Sequence, residues 1–111
     1  MRFVVHALDK PDALQRRLAA IDAHRRYLDE APARHGVRVL LSGPMTDDAG
    51  ETMIGSFFLL EASGRDAVEA LFAEDPLAGA DVWAHRTVTA VTVRQDNMSG
   101  ESPTGLGPNN A

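Results

Sequence analysis

The chain has 111 residues, a formal net charge of −5 and no cysteine. The lack of cysteine excludes disulfides, thiolate catalysis and thiolate metal sites, and the length suits a single domain. Lysines and arginines do not cluster with aromatic residues, which make up 5% of the chain, so binding to nucleic acid is disfavoured.

The first half of the chain predicts a strand, a long helix and a second strand. Residues 3–8 are apolar and rich in β-branched and aromatic side chains, which is typical of a strand. Pro11 suits the first position of a helix, and apolar residues at helical spacing extend that helix over residues 12 to about 31. Pro32 should kink or end the helix, and Gly36 should cap it in the left-handed conformation. The second strand is predicted over residues 37–41, ended by Ser42-Gly43-Pro44.

The second half predicts a strand, a helix and a last strand. Residues 45–51 are polar and should form a turn before a third strand at 53–62. Ser63 and Asp66 have the S-x-x-D spacing of a capping box, which opens a second helix. Pro76 should end that helix, because the residue before a proline is disfavoured in helical conformation. Residues 82–93 predict the fourth strand, and residues 95–111, rich in Gly, Pro, Ser and Asn, predict a flexible C-terminal tail.

The resulting order, βαββαβ, predicts an α+β fold of ferredoxin-like type. Right-handed crossovers then give a four-stranded antiparallel sheet with both helices on one face. We assign residues 1–94 to this domain and residues 95–111 to the tail. The strands carry apolar residues for both sheet faces, so a face without helices would be covered in a homodimer that packs sheet against sheet. The residues concerned are Val4, Phe57, Phe58, Leu59, Leu60, Val88 and Val91.

His24 is the first candidate for chemistry. The predicted helix has one apolar stripe, and His24 falls on its flank, on the same side as Arg17 seven residues earlier. An imidazole at the border of the core can serve as a base or orient a substrate near neutral pH. A packed or solvated histidine without chemistry is the alternative. The stripe consists of Leu14, Leu18, Ile21 and Leu28.

Asp75 is the second candidate, because the pattern places it at the C-terminal end of the second helix. A carboxylate there opposes the helix dipole, and a cationic partner such as His24 would offset the cost. A His–Asp pair provides an oriented base whose charged form is stabilised. An aspartate in a surface turn is the alternative.

Three further positions could contact a ligand. Ser42-Gly43-Pro44 offers a hydroxyl and an unobstructed backbone N–H, although a simple strand end explains it as well. His6 is interpreted as a core histidine or a pocket-lining one, and His85 resembles it. The four histidines lack metal-binding spacing, and no phosphate-binding loop is present, so we expect no metal and no cofactor. Arg25 falls near the centre of the apolar stripe, where it would reach either solvent or an anion.

On these residues the chain resembles the YCII (YciI-like) family over roughly residues 2–93. The resemblance implies a dimeric α/β barrel of ferredoxin-like protomers, with His24 and Asp75 as a catalytic pair and Ser-Gly-Pro in the same cleft. One branch of the family is similar to dehydrochlorinases of chlorinated hydroxyhydroquinones. The matching segments are Phe3-Val4-Val5-His6-Ala7-Leu8-Asp9-Lys10, Arg17-Leu18 with His24 seven residues after the arginine, Leu41-Ser42-Gly43-Pro44, and Asp75-Pro76 followed by Ala78-Gly79.

Our leading hypothesis is a small enzyme without a cofactor that uses His24 and Asp75 for proton transfer in a lyase or isomerase reaction. Arg17, Ser42, Gly43, Pro44 and His6 would contact a small cyclic or aromatic substrate. A non-catalytic dimeric protein that binds a small molecule is the alternative, and a monooxygenase of the same architecture is a third option. The short apolar run after Met1 resembles neither a signal peptide nor a membrane span, so a cytoplasmic protein is expected.

Overall fold

The computed structural model describes residues 1–98, which form one antiparallel sheet and three helices. The strand order is β2-β3-β1-β4, and every neighbouring pair is antiparallel. This confirms the predicted α+β, ferredoxin-like βαββαβ arrangement, to which one short helix is added. The elements are β1 (Arg2–Asp9), α1 (Leu14–Arg34), β2 (Val37–Thr46), β3 (Met53–Ala62), α2 (Arg65–Ala73), α3 (Pro76–Gly79) and β4 (Trp83–Val91).

The hydrophobic core lies between the helices and one face of the sheet. Side chains alternate along a strand, so β1 sends Phe3, Val5 and Ala7 into the core while their neighbours face the other way. The central strand β3 and the helix α2 supply most of the remaining large core residues. These are Phe58, Leu60, Val68, Leu71 and Phe72.

The buried face of α1 differs from the predicted apolar stripe. The residues of α1 that are buried are Arg17, His24, Ala31 and Pro32, whereas Leu18 is 47% exposed. His24 therefore lies on the buried face of the helix and not on its flank. Arg17, His24 and Ala31 are each seven residues apart, which places them on one line along the helix, and two of the three are polar.

Both ends of α1 differ from their predictions. Pro11 lies in a turn, Asp12 has a φ of 58°, and the helix begins only at Leu14. Pro32 lies inside the last turn, and the helix continues to Arg34. A proline so close to the end removes a single backbone hydrogen bond, and no long helical segment follows it. Gly36 has a φ of 68°, which confirms the predicted left-handed cap.

The strand β2 does not stop at Ser42-Gly43-Pro44 but continues through it to Thr46. It is an edge strand, where the missing N–H of Pro44 does not break a central ladder. A register shift between Val39 and Leu41 inserts one residue into the strand.

The connections around α2 also differ from expectation. The predicted capping box is wrong, because Gly64 is the N-cap and no side chain caps the helix. α2 ends at Ala73, three residues before Pro76, which instead begins the short helix α3. β4 is shorter than predicted at both ends. Of the predicted tail, residues 95–98 follow β4 outside any strand or helix, residues 99–111 lie outside the described part, and the division at residue 94 stays a prediction.

The second face of the sheet carries no helix and exposes apolar side chains. Leu8, Leu41 and Phe57 are large hydrophobic residues on this face with substantial exposure. We call it the open face and define it by Val4, Leu8, Leu41, Phe57 and Leu59. Within residues 1–98, no helix is long and apolar enough to cross a membrane.

The close approach of β1 and β3 at Gly55 leads to a stability prediction. A Cβ atom there would lie 2.5 Å from the carbonyl oxygen of Ala7, which cannot move without disrupting the sheet. We expect Gly55→Ala to lower the free energy of unfolding by about 1–3 kcal/mol in urea denaturation. Gly79→Ala is the control, because its Cβ would meet nothing within 4 Å. Equal stability of Gly55→Ala and the unsubstituted chain would contradict the register of β1 and β3.

Candidate active site

His24 and Asp75 form a buried pair between α1 and the start of α3. The Nδ1 atom of His24 lies 2.8 Å from each carboxylate oxygen of Asp75. His24 is 7% exposed and Asp75 is 1% exposed. A carboxylate accepts hydrogen bonds, so Nδ1 carries the proton of the neutral imidazole and donates a hydrogen bond to Asp75. Nε2, on the opposite side of the ring, is then left as the acceptor.

Asp75 is held in place by the helix that it begins. Its Oδ1 atom accepts a hydrogen bond from the backbone N–H of Leu77 at 2.8 Å, which makes Asp75 the N-cap of α3. The prediction that Asp75 ends the second helix and opposes its dipole is therefore wrong. The carboxylate is at the favourable end of a short helix, and Pro76 occupies the early helical position that suits a proline.

Aromatic rings surround the imidazole of His24. The ring centroids of Phe58 and Trp83 lie 6.1 and 6.2 Å from that of His24, both in edge-to-face geometry. These rings keep water from the sides of the imidazole and restrict its rotation. The position of the Nε2 atom is thus set by packing as well as by Asp75.

A second buried polar group lies beside the first, centred on Arg17. Its Nε and Nη2 atoms donate to the two carboxylate oxygens of Asp9 at 2.7 and 2.8 Å, a bidentate ion pair. Nη2 also donates to the hydroxyl of Ser56 at 2.8 Å, and the indole Nε1 of Trp83 donates to the same hydroxyl at 3.2 Å. Arg17 is 1% exposed, so these contacts replace water around the guanidinium.

Asp9, Ser56 and Trp83 were missed by the sequence analysis. Ser56 was the one detectable signal, because it carries the only hydroxyl among the otherwise apolar core-facing residues of β3. Asp9 directly follows the predicted strand of residues 3–8 and is the last residue of β1 in the structure. Trp83 was assigned to a strand without a role.

A cavity of about 250 Å³ opens between α1 and the strands β2 and β3. His24 and Arg17 both border it from α1, and the strands form the opposite wall. The contribution of α1 is Arg17, Ile21, His24, Arg25, Leu28 and Asp29. The strands contribute Ser42, Gly43, Pro44, Met53, Ser56 and Phe58.

The structure thus brings most of the predicted site residues to one cavity. Ser42, Gly43 and Pro44 line it as continuous strand rather than as a strand end. Arg25 is at the cavity but 66% exposed, 3.8 Å from Asp22, and not at the centre of the helix's buried face.

His6 is not part of this cavity. It is exposed and faces away from the helices, because it alternates with the core residues Val5 and Ala7. The interpretation of His6 as a core histidine is therefore wrong, and the same holds for the exposed His85, whereas a contact of His6 with a substrate stays a prediction. Among residues 1–98, no three His, Cys, Asp or Glu side chains are grouped so that they could hold a metal ion.

Tyr27 anchors α1 to α2 next to the site. Its hydroxyl donates to the carbonyl of Leu71 at 2.5 Å. Burial raises the pKa of Tyr27 above its ordinary value of 10.0, and the negative charges of Glu74 and Asp75 raise it further. The folded chain favours the neutral phenol, so this contribution to stability is complete below pH 10.0 and is lost as the pH rises through the raised pKa.

The ion pair of Arg17 leads to a second stability prediction. Asp9→Asn leaves a buried guanidinium without its counter-charge, so we expect the free energy of unfolding to fall by about 3–5 kcal/mol in urea denaturation. Asp12→Asn is the matched control, because Asp12 is exposed and asparagine tolerates its positive φ. If both variants are equally stable, the Asp9–Arg17 pair does not hold α1 to the sheet.

Comparison with known proteins relates this site to a family. The YCII-related domain matches residues 1–92. The chain is 32% identical to the protein YciI of Escherichia coli O6:H1 and to that of Shigella flexneri, over 79% of this chain and 93% of each relative.

Two solved structures have a similar fold. One is 5-chloro-2-hydroxyhydroquinone dehydrochlorinase from Burkholderia phenoliruptrix AC1100 in complex with 2,5-dihydroxybenzoquinone. Its TM-score is 0.72 at 29% identity, over 83% of this chain and 94% of that one. The other is a dimeric protein of unknown function from Bacteroides fragilis NCTC 9343. Its TM-score is 0.50 at 16% identity, over 79% of this chain and 90% of that one, which shows a likeness of fold alone. Because the domain match spans most of the residues described, this chain belongs to the YCII family.

Proposed function

We propose that this protein is an enzyme that transfers a proton on a small cyclic or aromatic compound, with His24 as the base and Asp75 as the group that orients it. The observation that carries the proposal is the contact of Nδ1 with both oxygens of Asp75, on a histidine that borders the cavity. A base needs a fixed ring and a free nitrogen, and this arrangement supplies both.

The reaction that fits this pair is an elimination or an isomerisation. The Nε2 lone pair accepts a proton from the substrate, and the electron pair of the broken bond forms a new double bond. In an elimination, a leaving group such as chloride departs with the electron pair of its own bond. The negative charge of Asp75 stabilises the imidazolium that forms, and His24 then returns its proton to solvent or to the product.

The similar dehydrochlorinase supports this class of reaction. That enzyme has a similar fold and is 29% identical to this chain over the matched residues, and its structure holds 2,5-dihydroxybenzoquinone. The cavity of about 250 Å³ lies below the range of drug-sized pockets and suits a molecule of one ring. Arg17, Ser42, Gly43 and Pro44 would then contact the ring and its oxygen substituents.

The alternative is a protein that binds a small molecule without converting it. The same buried donors and the same cavity would serve that role. Only a measurement of turnover separates the two, because both require the ligand to enter beside His24.

A substitution of His24 tests the proposal directly. We expect His24→Gln to lower kcat/KM about 100-fold or more on chlorinated hydroxyhydroquinones, measured as chloride release, because proton transfer loses its base. Asp75→Asn should lower kcat in the same direction, since the ring loses its orienting carboxylate. His35→Gln, at the C-cap of α1 and outside the cavity, is the control and should match the unsubstituted enzyme. Binding of these compounds without turnover, with an affinity that His24→Gln leaves unchanged, would favour the binding protein.

We further propose that the open face forms a homodimer interface. Phe57 and Leu8 are 37% and 42% exposed on a sheet face that no helix covers, and a second copy would bury both. We expect Phe57→Arg to convert a dimer to a monomer in light scattering, because two guanidinium groups would meet near the interface. Ala19→Arg, on the exposed side of α1, should leave the mass unchanged. A monomeric mass for the unsubstituted chain at every concentration would contradict this interface.

A further inference from the structure

The hydroxyl of Ser56 has both of its acceptor positions occupied. A serine hydroxyl has one proton to donate and two lone pairs that accept. Arg17 Nη2 donates to the Oγ atom at 2.8 Å, and Trp83 Nε1 donates to it at 3.2 Å. The direction of both hydrogen bonds is fixed, because guanidinium and indole nitrogens carry protons and do not accept hydrogen bonds.

The only further hydrogen bond that Ser56 can make is one in which its hydroxyl donates. Among residues 1–98, no acceptor is in contact with that hydroxyl. Ser56 is 2% exposed overall, yet it borders the cavity next to His24. A buried hydroxyl that cannot accept further and has no acceptor of its own is a donor that a molecule in the cavity can satisfy. The same occupancy prevents Ser56 from acting as a nucleophile or a base.

Arg17 offers donors at the same place. Its Nε and Nη2 atoms are used by Asp9 and Ser56, whereas Nη1 makes no hydrogen bond to residues 1–98. Since Arg17 also borders the cavity, the two N–H groups of Nη1 are available there.

We propose that Ser56 and Arg17 form a binding site for an anionic oxygen of the substrate, of phenolate or enolate type. Asp9 and Trp83 position these donors and do not touch the substrate. This inference deepens the proposed function, since it names the group on the substrate that the donors recognise.

The proposed reaction places negative charge on an oxygen of the substrate, and such a site would stabilise that charge. When Nε2 of His24 removes a proton from a carbon next to a carbonyl group, the C–H electron pair forms a C=C bond and the C=O π pair moves to oxygen. The substrate gains one negative charge there, while the His24–Asp75 pair changes from one negative charge to none. Asp75 stabilises the imidazolium only, so the new oxyanion needs its own donors. Ser56 O–H and Arg17 Nη1 supply them without reorganisation, because the ion pair with Asp9 already fixes the guanidinium.

The two halves of the site are suitably placed on one helix. Arg17 and His24 are seven residues apart on the buried face of α1, which separates their backbones by about 10 Å at 1.5 Å per residue. The cavity between them can hold one ring with its reacting atom toward His24 and an oxygen toward Ser56.

The test uses para-nitrophenol, whose phenolate absorbs visible light and whose neutral form does not. The site should bind the phenolate more tightly than the phenol, and the apparent pKa of the bound probe should fall relative to free probe. We expect Ser56→Ala to weaken phenolate binding about tenfold and to remove about one unit of that pKa decrease, which is the same factor. Ser63→Ala, an exposed serine outside the cavity, is the control and should bind as the unsubstituted chain does.

The chain has one tryptophan, and its indole N–H donates to Ser56, so a single NMR resonance reports on this hydroxyl. The probe should shift that resonance in the unsubstituted chain and in Ser56→Cys, which retains a weak donor, but not in Ser56→Ala. If Ser56→Ala only destabilised the fold, its NMR spectrum would lose the chemical-shift dispersion of a folded chain, but the folded fraction would still prefer phenolate over phenol. If Ser56→Ala does not fold, the intermediate affinity expected of Ser56→Cys carries the test.

The outcome is separable from that of the proposed function. In the His24→Gln background the Ser56→Ala effect on phenolate binding should persist, because it does not depend on proton transfer to His24. Equal binding of phenol and phenolate by the unsubstituted chain, no binding at millimolar probe, or an unchanged preference in Ser56→Ala would overturn the anionic-oxygen site. Loss of turnover in His24→Gln would still support the base in each of those cases.

Discussion

The structure depends on two carboxylates that approach the buried face of α1 from different parts of the chain. Asp9, at the end of β1, pairs with Arg17, and Asp75, at the start of α3, pairs with His24. Burying a guanidinium without a counter-charge is costly in free energy, so α1 can bury Arg17 against the sheet only in the orientation that brings it to Asp9. The rotation of α1 about its own axis is thus fixed by electrostatics as well as by apolar packing, and the cavity follows from that rotation.

Local patterns predicted most of the fold. The third strand was assigned with the residues observed, and the order of strands and helices was right, because alternation and helical spacing are local properties of the sequence. The rotation of α1 could not be found in this way. The leucines at 14, 18 and 28 make a plausible buried stripe until the partners of Arg17 and His24 are known, and those partners are 8 and 51 residues away in sequence.

The contact between His24 and Asp75 was expected, but for a reason that does not hold. The expectation assumed a carboxylate at the wrong end of a helix, whereas Asp75 begins one. The correct pairing of His24 with Asp75 was implied by the resemblance to the family, and the local sequence pattern did not predict it for a valid reason. Ser56 shows the opposite limit. Its residue type and burial are visible in the strand pattern, but the occupancy of its two lone pairs emerges only when Arg17 and Trp83 are placed in space.

The single inserted residue in β2 decides what the strand presents to the cavity. After the register shift, Ser42 pairs with Phe58 and Pro44 with Ser56, so both lie on the helix-facing side of the sheet. In an unbroken register their side chains would face the other way, and Gly43 would take their place. The wall of the cavity can therefore be exchanged by the gain or loss of one residue near position 40, while the helices, the His24–Asp75 pair and the Arg17 network stay as they are. Substrate range in such a fold could change through strand register, without any substitution among the residues that do the chemistry.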